Sequence, residues 1–482
     1  MNCFATLSGR IRCVNELAKP GSLAITSALL ILLATFSAFA GEGIWASQIQ
    51  SILDKSGLSK EQYGVEIRSL DGSQMYYSAN SKTGFNPAST MKMLVTIVSL
   101  EQLGPHYKFA TIVKKKDKDL CLVGQGDPSL VYEDLFILTE QLLREPSFAK
   151  NVNKIYVDDS FFPTTKQYDD DFDGDSQRSF TAPLSSLSLN YNSVTVFVKP
   201  GNIGEKAEVY TEPRSNYFTI INQTKTIKAG QRTANATVRE KGKKIEITVG
   251  GQISAQDSGA TIYRAIADPS TYAGNIFQEL LQRAGVVVTG GVEHKTCGVE
   301  WTEVVRFQSK PLSQILQGMN KFSNNFIAET LMYHLGETPS SGAGLLKMKE
   351  WIKNKKLPDQ NVSIDNASGL SRSNSVTPNF LWNLYAYGRN TFQTYPDMMS
   401  SLPIGGLDGT LRRRFRSSGM QGLVRAKSGS LRNTVSLVGS IQTAQKGELL
   451  FVFLFDSRGK SGAQIQYIEE KVLEKVGALG GN

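Results

Sequence analysis

Between Ala88 and Gly104 the chain reads ASTMKMLVTIVSLEQLG, and Met91, Leu94, Val95, Ile97, Val98, Leu100 and Leu103 cover nearly every helical face. A helix apolar all round belongs in a large core. Pro87 just ahead is a helix-start signal, so Ser89 is expected in the first turn. Lys92 follows three residues later on the same face, although lysine is among the residues least often fully buried. A second helix is expected over 323–338, SNNFIAETLMYHLGET, with Phe326, Ile327, Leu331 and Leu335 on its apolar side and Ser323 and Asn325 at the loop entering it.

Shorter runs read as strands: VTVFVKP (194–200), NYFTIINQT (216–224), KIEITVGG (244–251), the run within LVRAKSGSLRNTVSLVGSIQ (423–442), and ELLFVFLF (448–455). Ser188 falls in a strand-like alternation, SLNYNSVTVFV, and the basic run KKKDKD (114–119) reads as a solvated turn. The last helix, IQYIEEKVLEKVGAL (465–479), carries Ile465, Ile468, Val472, Val476 and Leu479 on one stripe. Its polar faces hold Glu469, Glu470 and Glu474 against Lys471 and Lys475, whereas membrane-surface helices are rich in lysine and arginine there. Packing onto a core is expected instead.

The 482 residues exceed the ~250–300 at which one core stops growing, so two or three domains are expected. The N-terminus stands apart. SLAITSALLILLATFSAFA (22–40) follows Arg10, Arg12 and Lys19 and closes on Ala38-Phe39-Ala40, the pattern of a secretory signal cleaved after Ala40; an uncleaved anchor is the alternative. No second apolar run approaches the ~20 residues of a membrane span, so an exported, soluble protein without a stable membrane anchor is expected.

Removal of that segment takes Cys3 and Cys13 with it and leaves Cys121 and Cys297, which an oxidising compartment allows to pair if they meet. The net charge of +9 falls only slightly on cleavage, and surplus positive charge suits a polyanionic envelope. No nucleic-acid module is visible. The three histidines, His106, His294 and His334, lie outside any serine-hydrolase motif, and no metal site or cofactor is expected. DDDFDG (169–174) opens like a calcium loop, but its twelfth position is Phe180 where a bidentate Glu is required.

The chemistry therefore rests on Ser89 and Lys92. A serine hydroxyl needs a base to take its proton, and a lysine serves only as the neutral amine, which burial favours. Ser-x-x-Lys recurs at Ser147–Lys150 and Ser457–Lys460, yet only the first copy opens a buried helix. Ser323-x-Asn325 and Lys427-Ser428-Gly429 supply further polar groups, and Gly429 would let a substrate backbone lie close to the strand edge.

In the order Ser-x-x-Lys, Ser-x-Asn, Lys-Ser-Gly, these pieces resemble the active-site set of penicillin-binding proteins and serine β-lactamases. GQGDPSL (124–130), VDDSFF (157–162), DNASGLSRSNSVTP (365–378) and LPIGGLDGTLRRR (402–414) narrow the resemblance to the D-alanyl-D-alanine carboxypeptidase/endopeptidases, the class C low-molecular-mass penicillin-binding proteins. Ser428 stands where many members have threonine, and DNASG where DGSG is commoner.

The resemblance implies an α+β fold: a β-lactamase/transpeptidase-like domain, an antiparallel sheet with helices, built from 41–106 and 308–482 and interrupted by an inserted β-rich region, 107–307. It implies Ser89 as nucleophile, Lys92 as base and Ser323 as proton carrier to the leaving amine. Lys427 and Ser428 would hold the substrate carboxylate, Asn325 the peptide amide, and the N–H groups of Ser89 and Ser430 the oxyanion. Apart from the resemblance, Arg372 is a candidate second anion contact, with an ordinary surface arginine as the favoured alternative. The expected partners are peptidoglycan peptides and β-lactam inhibitors. A β-lactamase, or a wall-binding protein without turnover, is the rival reading.

Overall fold

The computed structural model describes residues 45–162, 164–165, 177–416 and 419–478. The expected signal segment, DDDFDG and Leu479 lie outside them. Helix α1 (residues 45–55) leads to β1 (Tyr63–Ser69), β2 (Met75–Ala79) and α2 (Lys92–Gln102). Next come β3 (Ala110–Lys116), β4 (Asp119–Gly124), α3 (Tyr132–Leu143), β5 (Asn151–Val152), β6 (Ile155–Asp158), β7 (Ser193–Lys199) and β8 (Glu208–Glu212). β9 (Phe218–Ile227), β10 (Asn235–Lys241), β11 (Lys244–Ser254), β12 (Ala260–Ala265), α4 (Pro269–Arg283), β13 (Val287–Val288), β14 (Val292–His294) and β15 (Thr302–Gln308) complete the middle. The chain ends with α5 (Leu312–Phe322), α6 (Asn325–Leu335), α7 (Ser341–Asn354), α8 (Pro378–Asn390), α9 (Tyr395–Ser401), β16 (Val424–Leu431), β17 (Thr434–Gln442), β18 (Glu448–Asp456) and α10 (Gly462–Gly477).

The two ends of the chain share one antiparallel sheet, ordered β16-β17-β18-β1-β2. Strand side chains alternate between faces, and here both faces are covered. Phe451, Phe453 and Phe455 pack with Val65, Ile67, Ile465 and Val472 on one side. Leu450, Val452 and Leu454 meet Leu94, Val98, Ile327 and Phe380 on the other. Burial on both faces is why the β18 sequence is continuously apolar rather than alternating. The last helix packs onto this core, as expected. α2 lies in the second core, and every side chain from Lys92 to Leu100 is buried.

The middle of the chain builds a separate core from β4, β6, β7 and β11 together with α3 and α4. Its first and last strands zip together, with Ala110 opposite Gln308 and reciprocal bonds between Phe109 and Ser309, so the chain leaves and returns at one place. The architecture is α+β. Two helices here went unread among the strands. Leu135, Leu138 and Leu142 give α3 an apolar stripe at spacings of three and four. Asp268 caps α4 by accepting from Thr271 N, with Pro269 at its first position.

Two other readings are corrected. Ser188 does not lie in a strand: Asn190, Tyr191 and Asn192 all take left-handed backbone angles, which breaks the alternation before β7 begins at Ser193. Within KKKDKD, Lys114–Lys116 belong to β3 and Asp119 to β4, so only Asp117 and Lys118 form the turn. Cys121 and Cys297 form a disulfide that ties β4 to the segment before β15, beside Trp301.

Candidate active site

Ser89 sits in a single 3-10 turn, Ala88–Met91, that runs straight into α2. Ala88 holds a left-handed φ of 45°, a strained setting for a residue with a Cβ. Several bonds fix it. Asn86 Oδ1 accepts from Ala88 N, Asn86 Nδ2 donates to Ser371 O, and Pro87 O accepts from both Thr90 Oγ1 and Ser436 Oγ. Gly369, at φ +82°, lets a neighbouring loop press on this turn, since a Cβ there would lie 1.8 Å from Ala88 O. Ser89 is left half-buried.

Lys92, one turn on, is completely buried. Its Nζ stands 2.9 Å from Ser89 Oγ, 2.7 Å from Asn325 Oδ1 and 2.6 Å from Ser368 O. Burial, and then the charge of Lys427, push its pKa well below the usual lysine range, while the Glu329 carboxylate opposes them. A neutral amine keeps two N–H groups and one lone pair. In that neutral form, with Asn325 Oδ1 and Ser368 O taking the two hydrogens, the lone pair would be left for the Ser89 hydroxyl.

Ser323 ends α5 in a left-handed conformation (φ 57°), and Asn324 caps α6 by accepting from Ile327 N. This sharp corner presents Ser323 and Asn325 to one cleft. Ser323 Oγ accepts from Lys427 Nζ at 2.9 Å, and Lys427 also donates to Ser428 O at 2.7 Å. Burial draws the Lys427 pKa down to about 7. Lys427, Ser428 and Ser430 lie on β16, the edge strand of the sheet. A Cβ added to the intervening Gly429 would come within 2.8 Å of Ser89 N, so β16 passes directly against the Ser89 turn. The seven residues singled out in the sequence thus converge. Arg372 is exposed and lines a neighbouring cleft with Asn86 and Leu431. The decoys Ser147 and Lys150 lie on the surface.

Two features of the site escaped the sequence reading. Glu329, four residues after Asn325, is buried and accepts from Ser368 N at 2.7 Å and Ala367 N at 3.4 Å. It therefore holds the backbone just ahead of the Ser368 carbonyl, which accepts from Lys92 Nζ, and burial raises its own pKa. An acid on the inward side of an apolar helix was the available signal. The DNASG loop also gains a reason: Asn366 Oδ1 accepts from Gly369 N and Asn374 Nδ2 and shapes the Ser368 turn. Thr410, from the LPIGGLDGT segment, places Oγ1 2.7 Å from Ser428 Oγ.

The sequence signature of the D-Ala-D-Ala carboxypeptidase 3 (S13) family matches residues 45–474. The chain is 28% identical over 463 residues to a D-alanyl-D-alanine carboxypeptidase of Actinomadura sp. (strain R39), covering 90% of this chain and 84% of the relative. It is 24% identical over 410 residues to a D-alanyl-D-alanine carboxypeptidase of Haemophilus influenzae, covering 81% and 84%. Among solved structures, penicillin binding protein 4 from Haemophilus influenzae superposes with a TM-score of 0.71 at 21% identity, over 89% of this chain and 99% of that one. A predatory peptidoglycan endopeptidase from Bdellovibrio bacteriovorus follows with a TM-score of 0.53 at 16% identity, over 86% and 92%. These structures share the fold.

Proposed function

The chain belongs to the D-Ala-D-Ala carboxypeptidase 3 (S13) family and is a serine-type peptidoglycan peptidase, and from that premise we propose that Ser89 is its nucleophile and Lys92 the base. The observation that carries this reading is the buried Lys92 Nζ at 2.9 Å from Ser89 Oγ, with its pKa lowered. Lys92 takes the hydroxyl proton as Ser89 Oγ attacks the carbonyl carbon of the D-Ala-D-Ala bond. The backbone N–H groups of Ser89 and Ser430 steady the oxyanion. Ser323, bonded to Lys427, passes a proton to the leaving amine. The acyl ester on Ser89 is then hydrolysed. Lys427 and Ser428 receive the terminal carboxylate, and Asn325 the peptide amide.

The same attack serves carboxypeptidase and endopeptidase cleavage, because both break the bond after a D-alanine. Penicillin binding protein 4 has been crystallised with a β-lactam, and we extend that class of ligand to this chain. Residues 41–106 with 308–482 are read as the catalytic unit and 107–307 as an insertion, a division supported by the β3–β15 pairing. Export is read from residues 1–40; among the described residues no helix is long and apolar enough to cross a membrane.

Labelled penicillin tests the assignment. It is expected to acylate Ser89 alone and to persist as an ester. Label surviving in Ser89→Ala refutes the nucleophile, near-normal acylation of Lys92→Arg refutes the base, and rapid release of hydrolysed penicillin favours a β-lactamase.

A further inference from the structure

Thr410 has no part in the scheme above, yet its Oγ1 is 2.7 Å from the Ser428 hydroxyl. We infer that Thr410 is a specificity-determining residue that supplies a second hydroxyl to the slot for the substrate's terminal carboxylate, an inference resting on the active-site reading just given.

Donor count favours this. A carboxylate is acceptor-only, and each hydroxyl has one O–H to give. In the free protein one of the paired hydroxyls donates to the other, so a single O–H is left over. When a carboxylate arrives, both can turn toward it, and the donors offered to the anion double. Ser428 is half-buried and Thr410 exposed, so the pair is open to a chain terminus arriving from solvent.

The segment carrying Thr410 is held from three sides. Ala426 N donates to Pro403 O and Gly405 N to Val424 O, which lays residues 403–405 along β16. Asp408 Oδ1 accepts from Ile404 N at 2.8 Å, and Asp408 Oδ2 accepts from Lys321 Nζ at 2.6 Å. Lys321 Nζ also reaches Leu402 O at 3.0 Å. Lys321 lies two residues before Ser323, so one anchor fixes the Ser323 corner and the Thr410 turn together. Gly409, at φ +54°, allows the turn to rest on α5, since a Cβ there would meet Lys321 O at 2.7 Å. A side chain locked this way binds with little ordering cost.

The serine at 428 adds a chain-specific reason. A β-branched threonine is stiff about χ1, whereas serine turns freely. Before the carboxylate arrives, bonding to Thr410 holds the Ser428 side chain in one rotamer, a preference that the residue lacks by itself.

Purified protein would be assayed for release of D-alanine from an N-acylated peptide ending in D-Ala-D-Ala, and for cleavage of the same peptide as its C-terminal amide. Thr410→Val keeps the shape and removes the hydroxyl. A hydrogen bond to a charged group predicts a loss in kcat/KM on the order of tenfold for the free acid. The slow amide reaction is expected to lose distinctly less, about two- to threefold, since its terminus carries no charge and accepts only an ordinary hydrogen bond. Ser428→Thr, with its stiffer hydroxyl, is expected to shrink the Thr410→Val loss. Equal losses on acid and amide, or no loss on either, overturn the assignment, provided that penicillin still labels Ser89. Failure of penicillin to label Ser89 in the unaltered protein would instead bring down the active-site reading itself.

Discussion

Replacing Gly429 by alanine probes the contact on which the site depends. A Cβ at this position would lie 2.3 Å from Ser436 Oγ, 2.8 Å from Ser89 N and 2.9 Å from Pro87 O. Only the first neighbour can swing aside, and doing so breaks its 2.7 Å bond to Pro87 O. The other two are backbone atoms of the strained turn. Ordinary contact begins near 3.4 Å, so β16 and the Ser89 turn must separate by roughly half an ångström or more. Over-packing of this kind costs about 1–3 kcal/mol, and about 2–4 °C of melting temperature per kcal/mol in a domain of this size. The catalytic loss is larger. Misplacing reacting groups by ~1 Å costs about a hundredfold, and removing one oxyanion donor outright costs about 10²–10³-fold. The second-order rate of acylation by fluorescent penicillin, read beside a thermal melt, is therefore expected to fall at least a hundredfold. Adding Ser436→Ala removes the worst clash and is expected to restore melting more than acylation, because the backbone contacts persist. Acylation of Gly429→Ala within threefold of normal would show that β16 does not set the position of Ser89 N.

Glu329→Gln removes the buried charge that favours the ammonium form of Lys92. Its alkaline-rising limb of acylation is expected to move to lower pH; a move to higher pH would mean that Glu329 acts on Lys92 chiefly by shaping the Ser368 loop. His334 donates from Nε2 to Gly126 O and is held down to about 4 by burial, against 6.5 when free. The unfolded chain thus binds the proton more readily between those values, and stability present above pH 6.5 is lost as pH falls to 4. That loss is at most about 3 kcal/mol, less for the edge His334 keeps toward solvent, and denaturant melts of His334→Gln across this range are expected to be flatter. Reduction of Cys121–Cys297, which spans 176 residues, is expected to destabilise the middle of the chain by up to about 5 kcal/mol; unchanged melting in reductant would contradict this.

Local covalent geometry made part of this protein legible from its sequence. A spacing of three places Ser89 and Lys92 on one helical face wherever a helix forms, and an all-apolar helix has to be buried. The strands at 424–456 announce themselves for the same reason, as does the apolar helix over 323–338 with Ser323 and Asn325 at its entry, whereas α5 ahead of it went unread. Other features depended on which distant segments meet. Burial by remote segments, the Ser368 loop among them, and then the charge of Lys427 push the Lys92 pKa below the usual lysine range. Glu329 looked like an ordinary helix residue until its face was known, Thr410 until LPIGGLDGT folded back along β16, and the two cysteines until β4 met the segment before β15. Asn190–Asn192 read as strand because alternation records side-chain polarity and carries no sign of φ. Periodicity is a property of neighbours in the chain, whereas pKa values, donor counts and disulfides belong to neighbours in space, and only the closed cores bring those together.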